Sequence, residues 1–157
     1  MNKHRVLEIF CVVFLVIFIF VISYEGAYTD KTAKEIAKEV TSVVDVSELT
    51  SVNKRKIKQD FGIDFSQVES FVYYASESIM TVDELMIIKL NEGVNAESIT
   101  ETIEKRVQEK QVLFDGYAPE QSALLKNYII DFDSGVIFYA VGQSATEAHQ
   151  AFRAAVR

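Results

Sequence analysis

Tryptophan is missing from this chain, cysteine and proline occur once each, histidine twice and glycine six times. Each scarcity excludes something. The one cysteine, Cys11, lies inside an apolar run, so the rest of the chain has neither a disulfide nor a thiolate metal ligand. It must hold together by core packing. Sparse proline and glycine exclude flexible linkers and low-complexity tracts, and no solenoid-length repeat is present. No Gly-x-Ser-x-Gly element, glycine-rich phosphate loop or Cys/His pair occurs. Positive charge is also short. Beyond residue 23 the chain has 14 basic and 22 acidic side chains, a formal charge of −8. That balance repels phosphate backbones and argues against a nucleic-acid partner.

What is present begins with "VLEIFCVVFLVIFIFVI", residues 6–22. As a helix it spans roughly 25 Å, at the short end of a membrane-crossing helix. It is longer than the ~7–15-residue core of a signal peptide. Lys3 and Arg5 precede it, and Glu25 and Asp30 follow. The positive-inside tendency predicts a single-pass anchor in the cell membrane, with the N-terminus in the cytoplasm and the remainder outside. The expected organisation is a cytoplasmic tip and anchor over 1–23, a tether over 24–29 and an extracytoplasmic domain over 30–157. Val21-Ile22-Ser23 is the alternative, a site for signal-peptide cleavage. Lipidation of Cys11 is disfavoured by Phe10 and Glu8 beside it.

After Thr29 the periodicity predicts helices over 30–44, capped by Asp30, and over 49–60, stopped by Gly62. "QVESFVYYA" (67–75) and "ELMIIKL" (84–90) read as strands. Ile99, Ile103, Val107 and Phe114 form one stripe of a helix that starts at Asn95 or Ser98. Pro119 opens a short helix near 119–125. "YIIDFDSGVIFYAVG" (128–142) reads as a hairpin turning at Asp133-Ser134-Gly135. "SATEAHQAFRAAV" (144–156) is an alanine-rich helix. Two ββα units in tandem predict an α+β domain with a four-stranded antiparallel sheet and helices on one face.

"TVDELMIIKL", "EKRVQEKQ" (104–111), "YAPEQSALLKN" (117–127) and the glycine-containing hairpin together resemble a domain-of-unknown-function family. Its members are small, membrane- or lipid-anchored extracytoplasmic proteins of Gram-positive bacteria. The resemblance covers about 30–155, and the lipobox common in such proteins is absent here. It implies no catalytic residues. It implies an association with membrane-bound O-acyltransferases and envelope-polymer modification.

Several side chains invite chemistry. Asp131-x-Asp133-x-Gly135 begins like a calcium loop, but its glycine stands one place early and Gly142 occupies the site of the last ligand. A hairpin turn fits better. Asp83 and Glu84 form a carboxylate pair whose acid–base use requires burial. Otherwise they are charges at the start of a strand. His149 has no second histidine at metal spacing and reads as a surface residue. Tyr73, Tyr74, Tyr117, Tyr128 and Tyr139 suit either sheet packing or an interface. Arg106 suits an ion pair, on the helix surface or across an interface. No catalytic, cofactor or metal residue is assigned. Arg106 and Tyr117 are the candidate interaction surface. The expected role is a membrane-anchored accessory domain that binds a partner protein or envelope polymer. The alternative is a small extracytoplasmic enzyme or metal-dependent module built on the carboxylates.

Overall fold

The computed structural model describes residues 3–23 and 28–157, and within the first helix the side chains of 9–19. Among the described residues six α-helices and five strands follow one another, with a short 3-10 turn at Phe65–Gln67. Helix α1 is Lys3–Ser23, α2 Ala33–Thr41 and α3 Lys54–Phe61; α4 is Glu97–Phe114, α5 Pro119–Lys126 and α6 Ala145–Ala155. The strands are β1 Leu49–Ser51, β2 Val68–Ser76, β3 Glu84–Leu90, β4 Ile129–Asp133 and β5 Val136–Val141.

The sheet has five strands in the order β1-β2-β3-β5-β4, with every neighbouring pair antiparallel. This corrects the expected four. The fifth strand is β1, where the sequence suggested the start of a helix. Leu49, Thr50 and Ser51 pair instead with Ser76, Ala75 and Tyr74. The helix begins only at Lys54, because the Asn53 side chain accepts the Lys56 N–H and caps it there. Similarly, α2 is capped by Thr32 rather than Asp30. Thr32 accepts the Glu35 N–H, and the Glu35 carboxylate accepts the Thr32 N–H at 2.8 Å. Those bonds hold the Glu35 carboxyl below its usual range.

The helices lie on both faces of the sheet, not one. Every residue of β3 and β5 is buried. Side chains alternate along a strand, so such strands need cover on two sides. One face buries Tyr73, Met86, Ile88, Ile137 and Tyr139 under α3, α4 and α5. The other buries Leu85, Ile87, Val136, Phe138 and Ala140 under α2 and α6.

Among the described residues, no helix is long and apolar enough to cross a membrane. This overturns the expected transmembrane helix and the single-pass localisation that rested on it. Residues 1–2 of the expected tip and anchor (1–23) and 24–27 of the expected tether (24–29) lie outside the described residues. The cleavage alternative at Val21-Ile22-Ser23 lies where side chains are not described.

From Tyr28 onward the chain is fastened to the domain. The Thr29 N–H donates to the Ser134 carbonyl at 2.9 Å, and the Tyr28 hydroxyl accepts the Gly93 N–H at 3.0 Å. The tight turn expected in the hairpin is present. Ser134 and Gly135 both have positive φ, 52° and 80°, as a two-residue hairpin requires. The Tyr28 ring lies where a Cβ on Gly135 would project. This turn therefore marks one end of the sheet as the place where the chain enters.

Candidate functional site

The opposite end of the sheet holds the chemistry. There β3 begins, β5 ends, and α4 and α5 come together. Glu84, the first residue of β3, is only 5% exposed. Its Oε1 accepts from the Tyr73 hydroxyl at 2.9 Å and from Lys110 Nζ at 2.7 Å. Its Oε2 accepts from the Tyr139 hydroxyl at 2.6 Å. Register explains the meeting. Tyr73, Met86 and Tyr139 are direct cross-strand partners, and Glu84 lies two residues from Met86 on the same face. Lys110 reaches down from α4. The network is self-contained: two phenols and an ammonium answer one buried carboxylate.

Burial, reinforced by the Glu84 charge, raises the Tyr73 and Tyr139 hydroxyls well above the ordinary phenol range. The fold therefore favours the protonated phenols. Their contribution is complete below pH ~10, the unfolded value, and is lost as pH climbs through the raised folded values. In an alkaline titration followed at 295 nm, two of the seven tyrosines should ionise only as the far-ultraviolet circular dichroism collapses. If all seven ionise before any secondary structure is lost, the network is not closed as described.

Asp83 stands beside Glu84 in sequence but not in environment. Side chains alternate at the start of β3, and Asp83 makes none of the hydrogen bonds that hold Glu84. Asp83 lines an open cleft of about 770 Å³, together with Asp45, Glu48, Glu77 and the edge of Glu84. None of the lining residues is Lys, Arg or His. The Asp45 carboxylate accepts the Ser47 N–H at 2.8 Å, which holds its pKa below the usual range. Gln121 of α5 forms another wall; its Oε1 accepts the Val82 N–H at 3.0 Å. The first turn of α6 closes the far side with Ser144, Ala145 and Ala148.

The candidate interaction residues fall into different surroundings. Tyr117, between α4 and α5, is 75% exposed. Val112 and Leu113, in the last turn of α4, are 77% and 73% exposed. All three belong to the cleft end. The Lys110–Glu84 pair and the Gln111 Nε2 to Leu125 carbonyl bond, 2.9 Å, fix the last turns of α4 there. Arg106 lies one turn earlier and is turned inward. Its guanidinium carbon is 5.8 Å from the Phe61 ring centroid, and its Nε is buried without a hydrogen-bond partner. It makes no ion pair among the described residues.

The remaining candidates act in the scaffold. Asp131 and Asp133 are β4 residues just before the turn. Both face α6: Asp131 Oδ2 meets His149 Nε2 at 2.6 Å and Arg153 Nε at 2.9 Å, while Asp133 Oδ2 meets Arg153 Nη1 at 2.6 Å. Those bonds, Asp133 first, raise the Arg153 pKa. His149 is thus not the free surface residue its sequence context suggested. It is part-buried, tilted over Phe138 at 5.5 Å. Nothing in the sequence paired it with Asp131. The signal was there only as two i, i+2 carboxylates on an edge strand and an i, i+4 His/Arg pair on a helix. Among the described residues, no three His, Cys, Asp or Glu side chains stand together to hold a metal ion.

The family model described as "Domain of unknown function (DUF4358)" matches residues 42–142. That segment contains all five strands, α3 to α5 and every acidic residue of the cleft. Comparison with curated proteins and with solved structures finds no match. The match covers well over half of the chain, which therefore belongs to this family, whose function is unknown.

Proposed function

We propose that this chain is a binding domain that works by contact, not by chemistry, and serves as an accessory to a partner protein or an envelope polymer. One observation carries the reading. The side chains best suited to chemistry are spent on the fold, whereas large apolar side chains stand free at the cleft end. Glu84 is answered by three internal donors, and His149 is tied to Asp131. Tyr117, Val112 and Leu113 are each about three-quarters exposed. Exposed aromatics of this kind anchor interfaces, because they offer area and a hydrogen-bonding tip at little entropic cost.

The test is site-specific photocrosslinking in cells. A photoreactive phenylalanine replaces Tyr117 in one variant and Lys38, on the exposed side of α2, in another. The Tyr117 position should give a discrete adduct that the Lys38 position does not. A carboxylate-based enzyme is the competing reading. It wins if the full chain turns over an ester or glycan, and Glu84→Gln abolishes turnover with the fold intact.

A further inference from the structure

We propose that the cleft end docks a protein segment in which Lys or Arg side chains flank a short apolar stretch. This rests on the contact reading and adds the chemistry of the partner.

The walls of the cleft carry charge of one sign. Asp45, Glu48, Glu77 and Asp83 line the cleft without a basic residue among its walls. The apolar group beside it is bordered in sequence by Glu109, Asp115 and Glu120. Of the cations on the neighbouring helices, Lys110 is committed to Glu84 at 2.7 Å, and Lys126 stands exposed at the end of α5. A like-charged partner is therefore repelled, whether an acidic protein or a phosphate-bearing polymer. An uncharged polymer would leave four carboxylates without a counter-charge. A basic segment answers them.

The apolar part follows from Val112, Leu113 and Tyr117, which are exposed and have nothing packed over them among the described residues. Gln121 and Leu124 of α5 line the cleft and Tyr117 stands two residues before that helix, so one segment can serve both. The space, about 770 Å³, takes several side chains and lies in the usual range for small ligands and anchors. Tyr28 and Thr29, which lead into the domain, do not reach it. They are fastened at the turn end, beyond the full length of β3.

The experiment titrates the full-length chain with three labelled peptides and follows fluorescence anisotropy. The first carries a Leu-Phe-Leu centre between Lys-Arg pairs. The second has glutamate at every basic position. The third keeps the basic residues and replaces the centre by serines. The first should bind tightest, the third more weakly, and the glutamate peptide not at all. Raising salt from about 50 to 500 mM should weaken the first severalfold, since exposed charge pairs are screened. Tyr117→Ala should weaken it about tenfold, as expected of an aromatic anchor. Glu48→Gln with Glu77→Gln should weaken it severalfold through lost attraction. All three substitutions are at exposed positions, and unchanged circular dichroism confirms that the fold survives. Equal binding of the glutamate peptide, no binding of the first at ~1 mM, or indifference to these substitutions overturns the proposal. If the peptides fail while Tyr117 still crosslinks a partner, contact stands and the basic chemistry falls.

Discussion

Replacing Glu84 by alanine should destabilise the domain by about 3–5 kcal/mol, the range seen when one partner of a buried ionic network is removed. The substitution orphans three donors at once: the hydroxyls of Tyr73 and Tyr139 and the ammonium of Lys110. Tyr139 is fully buried and Tyr73 nearly so. Neither can turn to water, and each unmet buried hydroxyl costs about 1–3 kcal/mol. Lys110 is only 14% exposed at its side chain, so its charge loses its answer too. Some of the loss is recovered because burying the carboxylate was itself costly. Urea unfolding measures the balance, and the melting temperature should fall by roughly 10 °C or more. Tyr139→Phe should cost less, about 1–2 kcal/mol, because Glu84 keeps two donors. A loss below 1 kcal/mol for Glu84→Ala would mean that water, not protein, satisfies the carboxylate. Glu84 would then be free for the chemistry denied to it here.

That network shows how far the sequence can be read. The strand "ELMIIKL" is plain in its apolar residues, and its Glu could be noticed as a candidate. Its burial could not, because burial depends on Tyr139, fifty-five residues on, arriving two strand positions away on the same face. The sheet itself was partly legible. Unbroken apolar runs in β3 and β5 demand cover on both faces, a stronger reading than the one-sided arrangement that ββα order suggests. The edge strand β1 was not legible. Three residues carry too little periodicity to tell a strand from the first turn of a helix, and pairing with β2 decides it. The cleft was illegible for a similar reason. Its acidic residues come from the segment before β1, the β2–β3 connection and the start of β3. Tyr117, one of five tyrosines suited to either sheet packing or an interface, is exposed. Arg106, the other candidate, is not, because Phe61 offers it a ring to lie against. The opening apolar run had the composition of an anchor, yet among the described residues no helix is long and apolar enough to cross a membrane.

Phe138→Ala should cost about as much as losing Glu84, some 3–5 kcal/mol, but through packing alone. Phe138 sits in the middle of β5, between β3 and β4, and has no exposed surface. Its ring stacks on Phe152 of α6 at 4.9 Å and lies 5.5 Å from the His149 ring. Truncation removes the transfer free energy of a phenyl ring and leaves a cavity. β5 is hydrogen-bonded on both sides, so it cannot move in to fill that cavity. Phe132→Ala is the matching control. The same side chain, on the edge strand β4 and 44% exposed, should cost less than about 1 kcal/mol. The two losses should also differ in reach. Phe138 supports the face under α6, whose first turn walls the cleft, while Tyr117 and the end of α4 belong to the other face. Hydrogen exchange on Phe138→Ala should therefore quicken in α6 before it quickens in α4. Equal costs for the two phenylalanines would contradict the buried, two-faced core, and uniform exchange would contradict the independence of its halves.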